Sequence, residues 1–232
     1  MKILFEDAYI VIVEKPAGIL SVPYPGFKGK TIFDQLYENR RKRGLIRGKL
    51  RPYTVHRLDK DTSGVMMFAL TEQAQKRIMD TWHTMVTNRT YRALAETPKN
   101  GTLQEQGTIN KPLTLNANHH SFVDKRKSTD KKNIGMNKKN QPKDAITHYK
   151  ILSQNRRYTM FELELDTGRT NQIRAHLASE GYPLAGDNLY RAKTDPFNRL
   201  CLHARTLSFV HPFTKEALSF EVAEPTNWDK AK

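Results

Sequence analysis

The chain has 232 residues, enough to bury a sizeable core, and its single cysteine, Cys201, excludes an intramolecular disulfide and any multi-cysteine metal site. Thirty-nine basic residues against 24 acidic ones leave a formal charge of +15, a field that draws polyanions, nucleic acid first among them. No stretch approaches the roughly 20 apolar residues of a membrane span, and the N-terminus lacks the apolar core and cleavage site of a secretion signal. A cytoplasmic protein is expected.

Residues 2–14 read as two short strands around a Glu6-Asp7 turn, the second being the β-branched YIVIV. Lys15-Pro16-Ala17-Gly18 stops it, and the Gly- and Pro-rich residues 21–30 form a loop. Gly29-Lys30-Thr31 resembles the end of a phosphate-binding loop, but Tyr24 stands where the first glycine belongs, so that reading is set aside. From Thr31 as N-cap, with Asp34 in the first turn, Ile32/Phe33 and Leu36/Tyr37 give a helix. Arg40 to Arg51 then carries seven bases and no acid. It is expected to grip phosphates through Arg40, Arg41, Lys42, Arg43 and Arg47, against the bland alternative of a solvated helix end.

The stretch that organises the rest is His56-Arg57-Leu58-Asp59-Lys60-Asp61-Thr62-Ser63-Gly64, followed by the apolar run VMMFAL. Taken alone, so charged a segment is a solvated turn. The run after it, however, reads as a buried strand, which puts the charges at the mouth of a core element. A carboxylate held there needs a cationic partner. Thr71 then caps a helix with Ala74, Ile78 and Trp82 on its apolar side, and Asn88–Ala95 is a strand with Tyr91, Ala93 and Ala95 on one face.

Between Lys125 and Lys143 there are eight bases and one acid with almost nothing apolar. Residues 119–143 are therefore expected to be a flexible basic loop that orders on RNA or DNA through Lys125, Arg126 and Lys127. His119-His120 lacks a third ligand at a usual spacing, and no metal site is expected. Residues 145–152 and 158–165 alternate cleanly and pair as a hairpin. Next comes Thr167-Gly168-Arg169-Thr170-Asn171-Gln172-Ile173-Arg174-Ala175-His176, a strand-turn-helix junction with Thr170 as the expected N-cap. Leu202-His203-Ala204 and the strand ALSFEVA close the chain, with no linker that divides it, so residues 1–232 are expected to form a single domain.

Together, KPAG (15–18), HRLDKDTSG (56–64), TYRAL (90–94), TGRTNQIRAH (167–176) and LHA with LSF and HP (202–212) resemble, in order and interval, the RluA family of pseudouridine synthases. The resemblance spans Ile3 to Pro225 and matches the catalytic domain alone, with no room for an S4-type RNA-binding domain. It implies an α/β (α+β) fold with a mixed, mainly antiparallel central sheet, flanking helices and a basic RNA-binding cleft. It implies Asp59 as the catalytic aspartate, Tyr91 as the tyrosine that packs on the target base and serves the proton transfer at C5, and Arg174 as the ion-pair partner of Asp59. Arg57 would enter the RNA helix where the flipped base was, and Ile173 would line the uracil pocket. His56, Arg169, Leu202 and His203 would stand on the substrate side. Asn171 departs from the usual histidine, and Arg89 stands where lysine is common.

No cofactor is implied, and the expected partner is structured RNA, a ribosomal or transfer stem-loop, bound by a monomer. The rival reading is a non-catalytic RNA-binding or ribosome assembly factor that keeps the fold. Such a binder could lose any of Asp59, Tyr91 and Arg174, and all three are present.

Overall fold

The computed structural model describes residues 1–101, 103–124 and 141–231. Lys125, Arg126, Lys127 and most of the basic 119–143 loop lie outside the described residues. In chain order the elements are β1 (Lys2–Glu6), β2 (Ile10–Lys15), α1 (Ile32–Lys42), β3 (Tyr53–Thr54), β4 (Ser63–Ala69), α2 (Glu72–Met85), β5 (Val86–Glu96) and β6 (Gln106–Asn110). They continue with β7 (Leu113–Leu115), β8 (Ser121–Val123), β9 (Ile146–Gln154), β10 (Tyr158–Leu165), α3 (Gln172–Ser179), β11 (Leu202–Val210) and β12 (Ala217–Glu221). This is the α+β class, with the mixed and mainly antiparallel strand pairing that the sequence led us to expect. Among the described residues no helix is long and apolar enough to cross a membrane.

The chain packs as two compact units, Met1–Arg89 with His203–Glu224, and Thr90–Leu202 with the residues from Pro225 onward. In the first unit β4 is the central strand, antiparallel to β2 and to the short β3 and parallel to β11 over Ser63 and Gly64. All seven of its residues are buried, which is why it runs apolar from Val65 to Ala69 instead of alternating. Val65, Met67 and Ala69 pack with Ala74, Ile78 and Met85 of α2, and Phe68 meets Phe33 of α1. Each large side chain buried in this way contributes about 2 kcal/mol. Both helices start where the sequence marks them. The Thr31 hydroxyl accepts the Asp34 N–H while the Asp34 carboxylate accepts the Thr31 N–H, a reciprocal cap, and the Thr71 hydroxyl accepts the Ala74 N–H.

In the second unit β10 lies between β5 and β9, and β6 follows β9, all antiparallel. Ala93 and Ala95 of β5 face a core of Tyr149, Phe161, Leu163, Ile173, Leu177 and Leu184, with Tyr91 packed at its margin. Leu94, between them, points to a separate cluster with Met160, Ala185, Cys201 and Trp228. The alternation read from TYRAL is therefore real, with both faces of β5 covered.

One expected helix start is corrected. The cap of α3 is Asn171, not Thr170, and Asn171 sits in the left-handed region at φ 50° with no side-chain cap bond. Helical turn formation is displaced because the next residue, Gln172, anchors the junction with its own amide, as described below.

Candidate active site

The HRLDKDTSG segment is held from three directions within the first unit. After β3 leaves β4 the ladder is continued by a side chain, because His56 Nε2 accepts the Met67 N–H at 2.9 Å. Ser21 donates its hydroxyl proton to the Leu58 carbonyl at 2.7 Å and accepts the Leu58 N–H at 3.1 Å, so one side chain fixes both backbone groups of the residue before Asp59. Lys15, fully buried at the end of β2, donates to the carbonyls of Pro16, Lys60 and Thr62 at 3.0, 2.7 and 2.7 Å. The Thr62 N–H closes a turn onto the Asp59 carbonyl.

The last two residues of the segment meet β11. The Ser63 hydroxyl bonds His203 Nδ1 at 2.7 Å, and His203 Nε2 donates to the Val222 carbonyl at 2.9 Å. Gly64 has φ 120°, and a Cβ there would land on the Ala204 carbonyl. Only glycine allows β4 and β11 to approach so closely.

The pattern that results alternates. Leu58, Thr62 and Ser63 are buried, the carbonyl of Lys60 is tethered, and Arg57 and Asp61 are exposed, with Asp59 half-exposed between them. The resemblance put His56 and His203 on the substrate side; Nε2 of His56 and both ring nitrogens of His203 bond the framework. His56 also stacks at 4.8 Å on Trp82, which Arg89 covers from 5.6 Å. Burial first, and the nearby Arg89 charge second, push its pKa down to about 3, so the ring is neutral at ordinary pH.

In the second unit Ile173 and Leu202 belong to one buried apolar cluster, and Tyr91, partly buried, packs against it. The TGRTNQIRAH segment is organised by Gln172 and His176, both buried. The Gln172 Oε1 accepts the Thr167 hydroxyl at 2.7 Å and the Arg169 N–H at 3.0 Å, and its Nε2 donates to Ile146 O and Thr147 Oγ1. The Thr147 hydroxyl reaches His176 Nδ1 at 2.9 Å, and His176 Nε2 donates to Lys111 O at 2.9 Å. Burial lowers the His176 pKa, which favours the neutral ring. Arg169 is exposed, its Nε on the Asp144 carbonyl at 3.0 Å.

Arg174, beside Ile173, forks onto Asp187 through Nε at 2.7 Å and Nη2 at 2.8 Å. Its guanidinium lies 5.2 Å over the Tyr190 ring. Asp187 is 1 % exposed and also accepts the Tyr190 N–H. It is the carboxylate in this pairing that the sequence did not single out. Gly186 precedes it at φ 76°, where an added Cβ would collide with the Arg199 carbonyl, so a glycine before the acid was the one mark in the sequence.

The basic run after α1 is split. Arg40 is buried and paired with Glu6, because α1 extends through Lys42 and turns this residue inward. Arg40 is thereby removed from the expected phosphate grip. Arg43 shares Glu6, Arg41 pairs with Glu38, and Arg41, Lys42, Arg43 and Arg47 remain exposed.

Residues 9–179 match the family model for RNA pseudouridylate synthase. The chain is 34% identical over 227 residues to an RNA pseudouridine synthase of Bacillus subtilis, covering 97% of this chain and 69% of that one. It is 32% identical to the ribosomal large subunit pseudouridine synthase D of Zymomonas mobilis, with 97% and 69% covered. The solved structure of human RNA pseudouridylate synthase domain containing 4 shares the fold at TM-score 0.72 and 20% identity, over 98% of this chain and 90% of that one. The chain belongs to the RNA pseudouridylate synthase family, of the RluA type. Its activity is the isomerisation of uridine to pseudouridine in RNA.

Proposed function

We propose that Asp59 is the nucleophile of this isomerisation, acting on uridine in structured ribosomal or transfer RNA, and that Tyr91 and Arg174 serve the same reaction. The observation that carries the assignment is the framing of HRLDKDTSG. Leu58 is pinned by Ser21, the carbonyls of Lys60 and Thr62 by Lys15, and Ser63 by His203, while the Asp59 side chain stays partly exposed. A purely structural turn has no use for so much support around one carboxylate.

The chemistry fits. Isomerisation breaks the bond from N1 to C1′, forms one from C5 to C1′, and moves the C5 proton away while N1 gains one. No electron or phosphate is consumed. An ionised carboxylate supplies the nucleophile, a cation favours its charged form, and a base takes the C5 proton. In this reading Tyr91 receives the flipped base on its aromatic face and serves the proton transfer, with Ile173 and Leu202 as apolar lining. Flipping costs a few kcal/mol, and Arg57 takes the place the base vacates. Exposed Arg41, Lys42, Arg43 and Arg47 grip phosphates. The relative named for the large ribosomal subunit makes ribosomal RNA the first substrate to examine. The reading takes the protein as a cytoplasmic monomer.

The test maps pseudouridine by chemical labelling and primer extension in total RNA from a deletion strain, complemented with wild type or with Asp59→Asn. A site that disappears and returns only with wild type, while Asp59→Asn still binds RNA, is the expected result. A map unchanged by deletion would favour the non-catalytic assembly factor.

A further inference from the structure

We infer that the loop between β2 and α1 carries a second RNA contact, a stacking platform for one unpaired base made by Tyr24 and Phe27 and flanked by Lys28 and Lys30. The inference rests on the pseudouridine synthase reading for the identity of the polyanion.

The loop is closed at its base by two backbone bonds, Ile32 N–H to Leu20 O at 2.9 Å and Phe33 N–H to Ser21 O at 3.1 Å, so it is a compact Ω-type excursion and not a slack linker. Its tip is the turn Tyr24-Pro25-Gly26-Phe27, in which the Phe27 N–H donates to Tyr24 O at 3.0 Å. Proline at the second position and glycine at the third, with φ 88°, define a type II turn. Such a turn fixes the first and fourth residues side by side, and their rings lie 5.4 Å apart at 42°. The Phe27 ring is propped on Gly29, where a Cβ would come within 2.6 Å of it.

An aromatic pair held rigid is ordinarily part of a core. Here Tyr24 is 59% exposed, more than any other large hydrophobic side chain among the described residues. Lys28 and Lys30 are exposed beside it, and no acid occurs between Glu14 and Asp34. A π face bordered by cations and cleared of anions fits a nucleobase with its phosphates. The same loop also holds the catalytic segment, since Ser21 at its base fixes Leu58. A base seated at the tip is thereby tied to the same unit that carries Asp59.

The test measures fluorescence anisotropy with labelled oligocytidylate, which offers the catalytic residues no uridine, and with an abasic ribose-phosphate oligomer of equal length. Wild type should prefer the oligocytidylate. Tyr24→Leu should lose about tenfold of that preference with the slope of affinity against salt unchanged, and Tyr24→Trp should keep it. Lys28→Gln with Lys30→Gln should weaken both probes alike and lower the slope by about 1.4. Tyr24 is on the surface, so the melting temperature of Tyr24→Leu should match wild type. Equal preference in Tyr24→Leu and wild type overturns the platform while leaving the enzyme reading intact, provided wild type forms pseudouridine in RNA from the deletion strain. Wild type that neither binds oligocytidylate nor forms pseudouridine brings both readings down.

Discussion

The ammonium of Lys15 donates to the Thr62 carbonyl at 2.7 Å from a side chain with no solvent exposure. Two further carbonyls, of Lys60 and Pro16, accept from the same nitrogen. One buried cation thus ties the end of β2 to the chain on the far side of Asp59. In water its removal would matter little, but here it takes a donor from the Thr62 carbonyl in a buried setting.

Lys15→Met keeps the aliphatic stem and removes the donors. It should cost about 3 to 5 kcal/mol, read as a lower urea midpoint. Pseudouridine formation should fall further than stability alone explains when both proteins are compared well below their transitions. A variant as stable and active as wild type would show that these bonds do not set the geometry of the segment.

Glycine at 64 is required on two counts, and glycine at 18 on one. Gly64→Ala places a Cβ on the Ala204 carbonyl at φ 120°, whereas Gly18→Ala meets only open space at φ 83°. The first should separate β4 from β11, cost more than about 4 kcal/mol and give insoluble protein. The second should cost about 1 kcal/mol and fold. Comparable soluble yields for the two variants would contradict the close approach of these strands.

His56 gives a pH signature. Its pKa falls from 6.5 to about 3 on folding, so below pH 6.5 the unfolded chain takes up a proton that the folded chain refuses. The stability it supports is whole above pH 6.5 and is lost progressively as pH falls toward 3, by up to about 5 kcal/mol. His56→Gln, whose amide oxygen still accepts the Met67 N–H, should be less stable than wild type at pH 8. Because it escapes the penalty, it should close that gap as pH falls to 4. Parallel urea midpoints across this range would mean that the imidazole titrates normally.

Much of this arrangement is legible locally. Thr31 with Asp34, Thr71 before an apolar periodicity, and the alternation of Tyr91, Ala93 and Ala95 are signals spanning a few residues, and the structure keeps all of them. What escaped depends on partners far along the chain. Arg40 reads as one base in a basic run, and only Glu6, 34 residues earlier, draws it inward. Thr170 is the natural cap by spacing, but Gln172 bonds to Ile146 and Thr147 of β9 and sets the junction instead. Lys15 in KPAG marked the end of a strand, and two of the three carbonyls it bridges lie 45 and 47 residues on. Residue types announced the chemistry here, whereas the scaffold that aims it was written in long-range pairs.

Asp187 provides the last prediction, because its bidentate partner is Arg174. The two share a bidentate fork in which Asp187 is buried and the Arg174 side chain is 12% exposed. Asp187→Asn preserves shape and the acceptor for the Tyr190 N–H, but it removes the negative charge from the fork at a cost of about 3 kcal/mol. Arg174→Met strands the carboxylate at a similar cost. The double variant should then be little worse than either single one, a coupling of about 2 kcal/mol or more. Arg174→Lys retains the charge but cannot reproduce the fork, and should recover only part of the stability. If Asp187 positions Arg174 for the reaction, Asp187→Asn should lower kcat while leaving KM for RNA near that of wild type. A change confined to KM would place the pair outside the chemistry and leave it as a clasp between α3 and the loop that follows, and an additive cycle would deny the coupling itself.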